Sequence, residues 1–187
     1  MSLLLEFSRQ DAETPRREVR EPDEIAAVLR AYGVRFQRWP VRPVEGDVLA
    51  AYAKEIAALR TEHGYRSADV VRLRCDPADP VSRAQAATAR AKFLEEHRHA
   101  EDEVRFFVEG AGLFALRFDE HVLLVRCEQG DLLSVPAATR HWFDMGTVPH
   151  FCAIRVFGSE AGWVAEFTGD PIARRFPSFD LVQERWP

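Results

Sequence analysis

Short apolar runs separated by turns make up the second half of the chain, from about residue 93. The runs are EVRFFVEG, LFALRF, HVLLVRCEQG, DLLSVP, HWFDMG and FCAIRVFG. Closely spaced runs of this kind, rich in Val, Leu and Phe, are typical of the strands of a barrel or sandwich. The pattern therefore predicts a β core over residues 93–158.

The first half of the chain has apolar residues at helical spacing instead. EPDEIAAVLRAYG opens with acidic residues and ends at Gly33, and GDVLAAYAKEIAALRTEHG ends at Gly64, as helices commonly do. SRAQAATARAKF is a third candidate helix, and VRFQRW is a candidate short strand. We expect residues 1–92 to be mainly helical.

No repeat, low-complexity tract or flexible linker separates these two patterns. A length of 187 residues suits one domain with a sizeable core. We therefore expect a single, mainly β domain in which N-terminal helices pack outside the core. Residues 159–187 would then form a C-terminal extension.

Composition and charge limit the kinds of partner. Charged residues make up 29% of the chain, as in ordinary folded proteins, and the net charge of -5 leaves no excess of Lys and Arg to neutralise phosphates. The arginines of SRAQAATARAKF suit a solvated helix surface better than an RNA-binding face. We expect a small-molecule partner and no nucleic acid.

The cysteines and the N-terminus indicate the compartment. Cys75, Cys127 and Cys152 are odd in number and widely spaced, which favours three reduced core thiols over disulfides or a thiolate metal site. The leucines near the N-terminus are too few for a secretion signal, and no apolar span reaches membrane length. We expect a cytoplasmic monomer with no membrane partner.

Two histidines and six carboxylates occupy EEHRHAEDEVRFFVEG. On a helix His97 and His99 would point about 200° apart, whereas on a strand residues two positions apart share a face. The HxH spacing therefore favours a strand that turns both imidazoles toward one ion, and Glu103 follows closely enough to join them. Such ligands suit borderline divalent metals such as iron, nickel, manganese or zinc.

An HxH pair can also arise by chance on a solvated strand. Here, however, GDLLSVPAATRHWFDMG supplies a turn glycine, an apolar strand, a proline and then His141 at the start of a new strand. From that position His141 can point into the same barrel. The sequence therefore predicts a metal site formed by His97, His99, Glu103 and His141.

The first of these segments resembles the first cupin motif, HxH-x3-E-x6-G. His97, His99, Glu103 and Gly110 keep every spacing of that motif. The resemblance implies a cupin-type double-stranded β-helix, which is a jelly-roll barrel, with helices packed outside it.

The second segment resembles the second cupin motif, G-x5-P-x-G-x2-H-x3-N. Gly130, Pro136 and His141 match it, whereas Ala138 replaces the second glycine and Met145 replaces the asparagine. These departures fall at a turn and at a position that is not a ligand. The metal positions are intact.

A closer resemblance is to the bacterial acireductone dioxygenases. It is carried by EHRHAEDEVRFFVEGAGLFAL, DLLSVPAATRHWFDMG, IRVFGSEAGWVAEFTG and, near the N-terminus, YGVRFQRW. The resemblance implies that His97, His99, Glu103 and His141 bind one Fe2+ or Ni2+ per chain. It also implies that the substrates are O2 and the acireductone 1,2-dihydroxy-3-keto-5-methylthiopentene, an intermediate of methionine salvage.

The resemblance further implies that the metal decides the products. With iron, related enzymes give formate and 4-methylthio-2-oxobutanoate, the precursor of methionine. With nickel, they give formate, carbon monoxide and 3-methylthiopropanoate. The ligand types suit both metals, so the sequence does not choose between them.

Two residues beside the predicted ligands are candidates for catalysis. Arg105 shares a strand face with Glu103, and the resemblance implies that its permanent charge stabilises the substrate dianion. A surface ion pair with Glu101 or Glu109 is the alternative. For Asp102 the resemblance implies a part in transmitting local conformational change, and a turn-capping aspartate is the alternative.

Four further residues are candidates for substrate binding. Arg155 lies on a mainly apolar strand face of FCAIRVFG, where an arginine usually meets a carboxylate or an anionic ligand. Phe93, Phe143 and Trp163 can wall the apolar methylthio end of the substrate, although aromatic residues in a β-rich segment are commonly plain core.

Two other functions are compatible with a cupin metal site. One is a sensor that binds a small ligand without turnover, although the N-terminal helices lack a basic recognition helix. The other is a zinc-dependent cupin isomerase, which needs an acid and base pair and no oxygen. Oxygen consumption with an acireductone distinguishes these alternatives from a dioxygenase.

Overall fold

The computed structural model describes residues 1–159 and 164–187. Its elements, in chain order, are β1 (Leu3–Ser8), β2 (Arg17–Val19), α1 (Pro22–Arg30), β3 (Arg35–Arg38), α2 (Val48–Ala51), α3 (Ala53–His63), β4 (Ser67–Arg74), α4 (Pro80–Ala91), β5 (His97–Arg98), β6 (Glu103–Phe118), β7 (His121–Glu128), β8 (Asp131–Val135), β9 (Arg140–Asp144), β10 (His150–Phe157), β11 (Glu166–Phe167), a 3₁₀ helix (Pro171–Arg175) and α5 (Phe179–Arg185).

The strands form two antiparallel sheets that share β6. The first sheet has the order β11-β5-β9-β6-β7-β1-β2. The second has the order β4-β10-β6-β8-β3. Together they enclose an apolar interior, which is the jelly-roll architecture expected from the sequence.

β6 passes from one sheet to the other at Gly110. Residues 103–106 of this strand pair with β8, and residues 111–118 pair with β7. Gly110 has a φ of 70°, and a Cβ at this position would lie 1.8 Å from the backbone oxygen of His150. Only glycine allows this bend. The runs EVRFFVEG and LFALRF, which looked like two strands, are therefore one bent strand.

The space between the two sheets is the main core of the protein. Four aromatic side chains from three strands meet there, namely Phe107, Phe114, Phe143 and Phe151. Each is at most 2% exposed. Their packing forms the inner wall of the barrel, next to the strand ends that carry the predicted metal ligands.

The outer faces of both sheets are also covered. On the first sheet, Trp142 packs beneath Phe176 and Val182 of the C-terminal segment. On the second, α2 and α3 cover Phe106 and Ile154. Because β1 and β6 to β10 are buried on both faces, they appear in the sequence as nearly continuous apolar runs without alternation.

The first half of the chain contributes more strands than its sequence pattern predicts. All six residues of β1 are buried between β2 and β7, so the run LLLEFS lacks the alternation that marks a strand. β4 lies at the edge of the second sheet, paired with β10. The β core thus extends beyond residues 93–158, and residues 1–92 are less helical than expected.

The helices lie close to where their patterns place them, with one interruption. GDVLAAYAKEIAALRTEHG forms α2 and α3 instead of one helix, because Tyr52 leaves the helical conformation with φ −114° and ψ 19°. Tyr52 is fully buried, and its ring centroid lies 4.9 Å from that of Phe106. Among the described residues, no helix combines the length and apolar character needed to cross a membrane.

Candidate metal centre

Three short segments bring the predicted ligands to one end of the barrel. His97 lies in β5 and His99 just after it, Glu103 begins β6, and His141 lies in β9 directly opposite His97. One ligand atom from each of the four side chains lies within 4.8 Å of the other three. The structure thus brings together all four residues that the sequence pattern singled out.

The backbone fixes which nitrogen of each imidazole faces the centre. In His97, Nδ1 lies 2.8 Å from the carbonyl oxygen of Glu95. In His99, Nδ1 lies 3.0 Å from the carbonyl oxygen of Val164. In His141, Nδ1 lies 2.8 Å from the carbonyl oxygen of Thr139. A carbonyl oxygen only accepts, so each Nδ1 carries the proton. In the neutral ring, which is the form that binds metal, each Nε2 then has a lone pair for the ion.

One oxygen of the Glu103 carboxylate faces the imidazoles, and the other faces the guanidinium of Arg105. Its Oε2 lies 2.8 Å from Nε2 of His141 and 3.4 Å from Nε2 of His99, and its Oε1 accepts from Arg105 at 2.7 Å. Burial raises the pKa of Glu103, but the charge of Arg105 and the hydrogen bonds that the His141 and His99 rings donate in their protonated forms outweigh it. The net pKa lies well below its usual range, so the carboxylate is ionised.

The imidazoles differ in their affinity for protons. Burial, aided by the neighbouring His141, lowers the pKa of His97 to about 4, so His97 is neutral. For His99 burial is the largest effect and lowers the pKa, but the hydrogen bond to Glu103, the negative charge of Glu103 and the hydrogen bond to the Val164 carbonyl together outweigh it, so the pKa is raised. A proton on His99 therefore occupies the place next to the carboxylate that a divalent cation would take.

Arg105 is buried beside the four residues. It is 4% exposed, and its guanidinium carbon lies 4.4 Å from the ring centre of Phe143 and 5.1 Å from that of Phe114. The structure thus pairs Arg105 with Glu103, whereas Glu101 and Glu109 have other partners. Two rings and one carboxylate hold the guanidinium in a fixed orientation.

Arg155 lies next to Arg105 on the neighbouring strand. The two residues are directly opposite each other in the pairing of β10 with β6. Arg155 donates to both oxygens of Asp69 on β4, at 2.8 and 2.5 Å. The arginine on an apolar strand face therefore meets a carboxylate, as the sequence pattern indicates.

The side chain of Asp102 accepts hydrogen bonds from two other segments of the chain. Its Oδ2 accepts from the Tyr65 hydroxyl at 3.1 Å, and its Oδ1 accepts from the backbone N–H of Ala137 at 3.0 Å. The next residue, Ala138, donates its backbone N–H to the carbonyl oxygen of His99 at 2.8 Å. The turn before β9 is therefore tied directly to the segment that carries His99 and Asp102.

Ala138 occupies the position of the second motif glycine. It has a φ of 62°, and it is the one non-glycine with positive φ among the described residues. The turn therefore keeps its left-handed backbone although the glycine is missing, at a cost of roughly 1–2 kcal/mol.

The aromatic candidates differ in position. Phe143 lies in the interior, 2% exposed, and its backbone N–H donates to the carbonyl oxygen of Phe93 at 2.9 Å. Phe93 is partly buried against the same interior cluster. Trp163 lies outside the described residues.

Comparison with known proteins places this site in a family. The model of the ARD/ARD′ family matches residues 6–165. Over 183 residues, the chain is 51% identical to the acireductone dioxygenase of Pseudomonas aeruginosa, covering 95% of this chain and 98% of the relative. The chain belongs to the acireductone dioxygenase family.

Two further members of the acireductone dioxygenase family support this placement. The chain is 49% identical over 185 residues to acireductone dioxygenase 1 of Nocardia farcinica, covering 96% of this chain and 98% of the relative. A solved structure, the acireductone dioxygenase of Bacillus anthracis with a cadmium ion in its active centre, superimposes with a TM-score of 0.74 at 28% identity. That match covers 89% of this chain and 98% of the other.

In this member of the acireductone dioxygenase family, the site has a polar neighbourhood that sequence patterns did not reveal. Glu96 and Arg117 form a buried ion pair next to His97, and Thr168 and Asp170 of the C-terminal segment contact it. The only sequence signal is a carboxylate directly before the HxH pair. Nothing in the pattern of residues indicates its partners, which lie far away along the chain.

Proposed function

We propose that the protein is an acireductone dioxygenase of methionine salvage. The observation that carries this proposal is the convergence of His97, His99, Glu103 and His141, whose ligand atoms lie within 4.8 Å of one another inside the barrel. The names of the relatives supply the substrate class. In the proposed reaction, O2 oxidises 1,2-dihydroxy-3-keto-5-methylthiopentene.

One Fe2+ or Ni2+ per chain is the proposed cofactor. Three imidazole nitrogens with free lone pairs and one ionised carboxylate are a donor set that suits a borderline divalent ion. His97, His99, Glu103 and His141 would hold the ion with four donor atoms, which would leave room on it for two adjacent substrate oxygens. When bound, the ion acts as a Lewis acid that stabilises the deprotonated enediol and holds it in place.

Arg105 is proposed to stabilise the second negative charge of the substrate. Its guanidinium is permanently charged and is held by Glu103, Phe114 and Phe143. A fixed charge in a buried site acts more strongly than one in water and needs no reorganisation during the reaction. Arg105 therefore favours the dianion that reacts with oxygen.

The remaining candidates are proposed to shape the substrate pocket. Phe93 and Phe143, together with Trp163, would wall the apolar methylthio end. Arg155 is proposed to meet the anionic end at the mouth of the barrel, where its pair with Asp69 is partly exposed. Asp102 would link movements of the turn before β9 to the ligand segment, through its contacts with Tyr65 and Ala137.

We propose that the bound metal determines the products. The iron form would give formate and 4-methylthio-2-oxobutanoate, and the nickel form would give formate, carbon monoxide and 3-methylthiopropanoate. The donor set supports both forms, because imidazole and carboxylate bind either ion.

The test uses metal-depleted protein reconstituted separately with Fe2+ and with Ni2+. Each sample is mixed anaerobically with the acireductone and then exposed to oxygen, and oxygen uptake, formate and carbon monoxide are measured. We expect uptake and formate with both metals, and carbon monoxide with nickel alone. Substrate conversion without oxygen uptake would indicate an isomerase, and binding without conversion would indicate a sensor.

A further inference from the structure

Few backbone contacts hold the strand that carries the histidine pair. β5 has two residues, and its pairing with β9 consists of His97 opposite His141. On its other edge it pairs with β11, which also has two residues. Strands this short have little rigidity of their own. Other contacts must therefore fix the position of His97.

Glu96, the residue before His97, makes such contacts on one side. Its side chain is 1% exposed, and its two carboxylate oxygens accept from Nη1 of Arg117 at 2.9 and 3.0 Å. Arg117 follows Leu116, which pairs with His141 in the sheet. The ion pair thus connects the residue before one ligand to the strand that borders another.

The C-terminal segment supports Glu96 from the other side. The Thr168 hydroxyl donates to Glu96 Oε2 at 2.7 Å, and the Thr168 backbone N–H donates to the Glu96 carbonyl oxygen at 3.0 Å. Asp170 accepts from the same Arg117 nitrogen at 2.8 Å. Side chain and backbone of Glu96 are therefore both held, by elements from two parts of the chain.

Stability alone does not account for this arrangement. Removing a carboxylate and a guanidinium from water is costly, and an apolar pair of similar volume is often at least as stable. Charge-assisted hydrogen bonds of defined direction do provide an orientation that apolar contacts cannot. The position of the pair, one residue from a ligand, is where orientation matters.

We propose that Glu96 is a positioning residue of the metal centre. Held by Arg117 and Thr168, it fixes β5 so that Nε2 of His97 faces the point shared with the other three ligands. The C-terminal segment thereby takes part in forming the site, although it supplies no ligand itself. This inference rests on the proposed metal centre.

The test compares Glu96→Gln with Glu95→Gln, the same substitution one residue earlier. The Glu95 side chain is 64% exposed and has a weak ion pair with Arg174 at 3.4 Å. Ni2+ affinity is measured by calorimetry, Co2+ coordination by absorption spectroscopy, and thermal unfolding on metal-free protein. We expect Glu96→Gln to weaken Ni2+ binding by about tenfold or more and to change the Co2+ spectrum. Glu95→Gln should match the wild type in both.

Thr168→Val serves as a milder second variant. It removes one hydrogen bond to Glu96 and keeps the shape of the side chain, so a smaller loss in the same direction is expected. Wild-type Ni2+ affinity and Co2+ spectrum in folded Glu96→Gln and Thr168→Val proteins, even with lower melting temperatures, would overturn the positioning role. Failure of the wild type itself to bind Ni2+ would instead refute the metal centre, and with it this inference.

Discussion

Arg105 Nη2 lies 2.7 Å from Glu103 Oε1, and both side chains are almost completely buried. The guanidinium thus occupies one side of a carboxylate whose other oxygen faces the imidazoles. Glu103 is therefore both a proposed metal ligand and the ion-pair partner of Arg105, the proposed anion-stabilising residue. The two roles can be separated by substitution, because the charge of Glu103 serves the first and that of Arg105 the second.

Glu103→Gln should abolish tight metal binding while the barrel still folds. The amide keeps the size of the side chain but lacks the negative charge that a divalent ion requires, so we expect Ni2+ affinity to fall by more than about 100-fold. Glu109→Gln is the matched control, since Glu109 lies on the same strand, partly exposed, and pairs with His150. Equal Ni2+ affinity in the two variants would show that Glu103 is not a ligand.

Arg105→Met should keep the metal and lose rate. The apolar chain can still fill space beside Phe114 and Phe143, but the fixed positive charge is gone. We expect kcat to fall by roughly 10²- to 10³-fold, as on removal of a charge-stabilising group from other active sites. Steady-state oxygen uptake and metal content are the measurements, with the exposed Arg74→Met as control. An unchanged kcat would remove Arg105 from the mechanism.

Ala138→Gly should stabilise the protein. The left-handed backbone at this position is strained for alanine and free of strain for glycine, but glycine also gives the unfolded chain more freedom. The net gain in the free energy of unfolding is about 0.5–1 kcal/mol, measured by urea denaturation. Ala138→Val should lose stability instead, because a branched side chain tolerates this conformation poorly. Equal stability of the two variants would contradict this explanation.

The stability of the metal-free protein should fall as the pH decreases from about 6.5 to 4. The folded pKa of His97 is about 4, below the value of about 6.5 expected when unfolded, so acid protonates the unfolded chain first. The contribution is fully present above pH 6.5, and about 3 kcal/mol is lost once the pH passes below the folded pKa. The raised pKa of His99 acts in the opposite sense.

The variant His97→Gln isolates this effect. Its free energy of unfolding, measured across the same pH range on metal-free protein, should differ from the wild type by a constant amount above pH 6.5. Below that pH the wild type should lose stability relative to the variant. Parallel curves from pH 7.5 to 4 would show that His97 is not held neutral by its surroundings.

The sequence predicts the strands of the second half well, because each is a compact apolar run between turns. The prediction is wrong at Gly110. A glycine there suggests the end of one strand and the start of another, whereas the structure has one strand that bends and continues in the other sheet. The prediction also fails at β1, whose residues are buried on both faces and show no alternation. In both places the deciding factor is a partner strand far away along the chain.

The same limit applies to the site. The HxH spacing and the later His141 are visible in the sequence because they follow strand periodicity and a turn. The partners of Glu96 are not, since Arg117 lies in a different strand and Thr168 beyond β11. The cation–π contacts of Arg105 with Phe114 and Phe143 likewise depend on the three-dimensional path of β6 and β9.

The continuity of β6 has a mechanical consequence. Glu103 begins this strand, and Leu116 near its end pairs with His141. One continuous strand, bent at Gly110, therefore connects the proposed ligand Glu103 to the backbone partner of the proposed ligand His141. Sliding of the sheets relative to each other would have to stretch or rotate that strand about Gly110. The barrel thus resists such shear, and β6 helps to keep Glu103 and His141 at a constant separation.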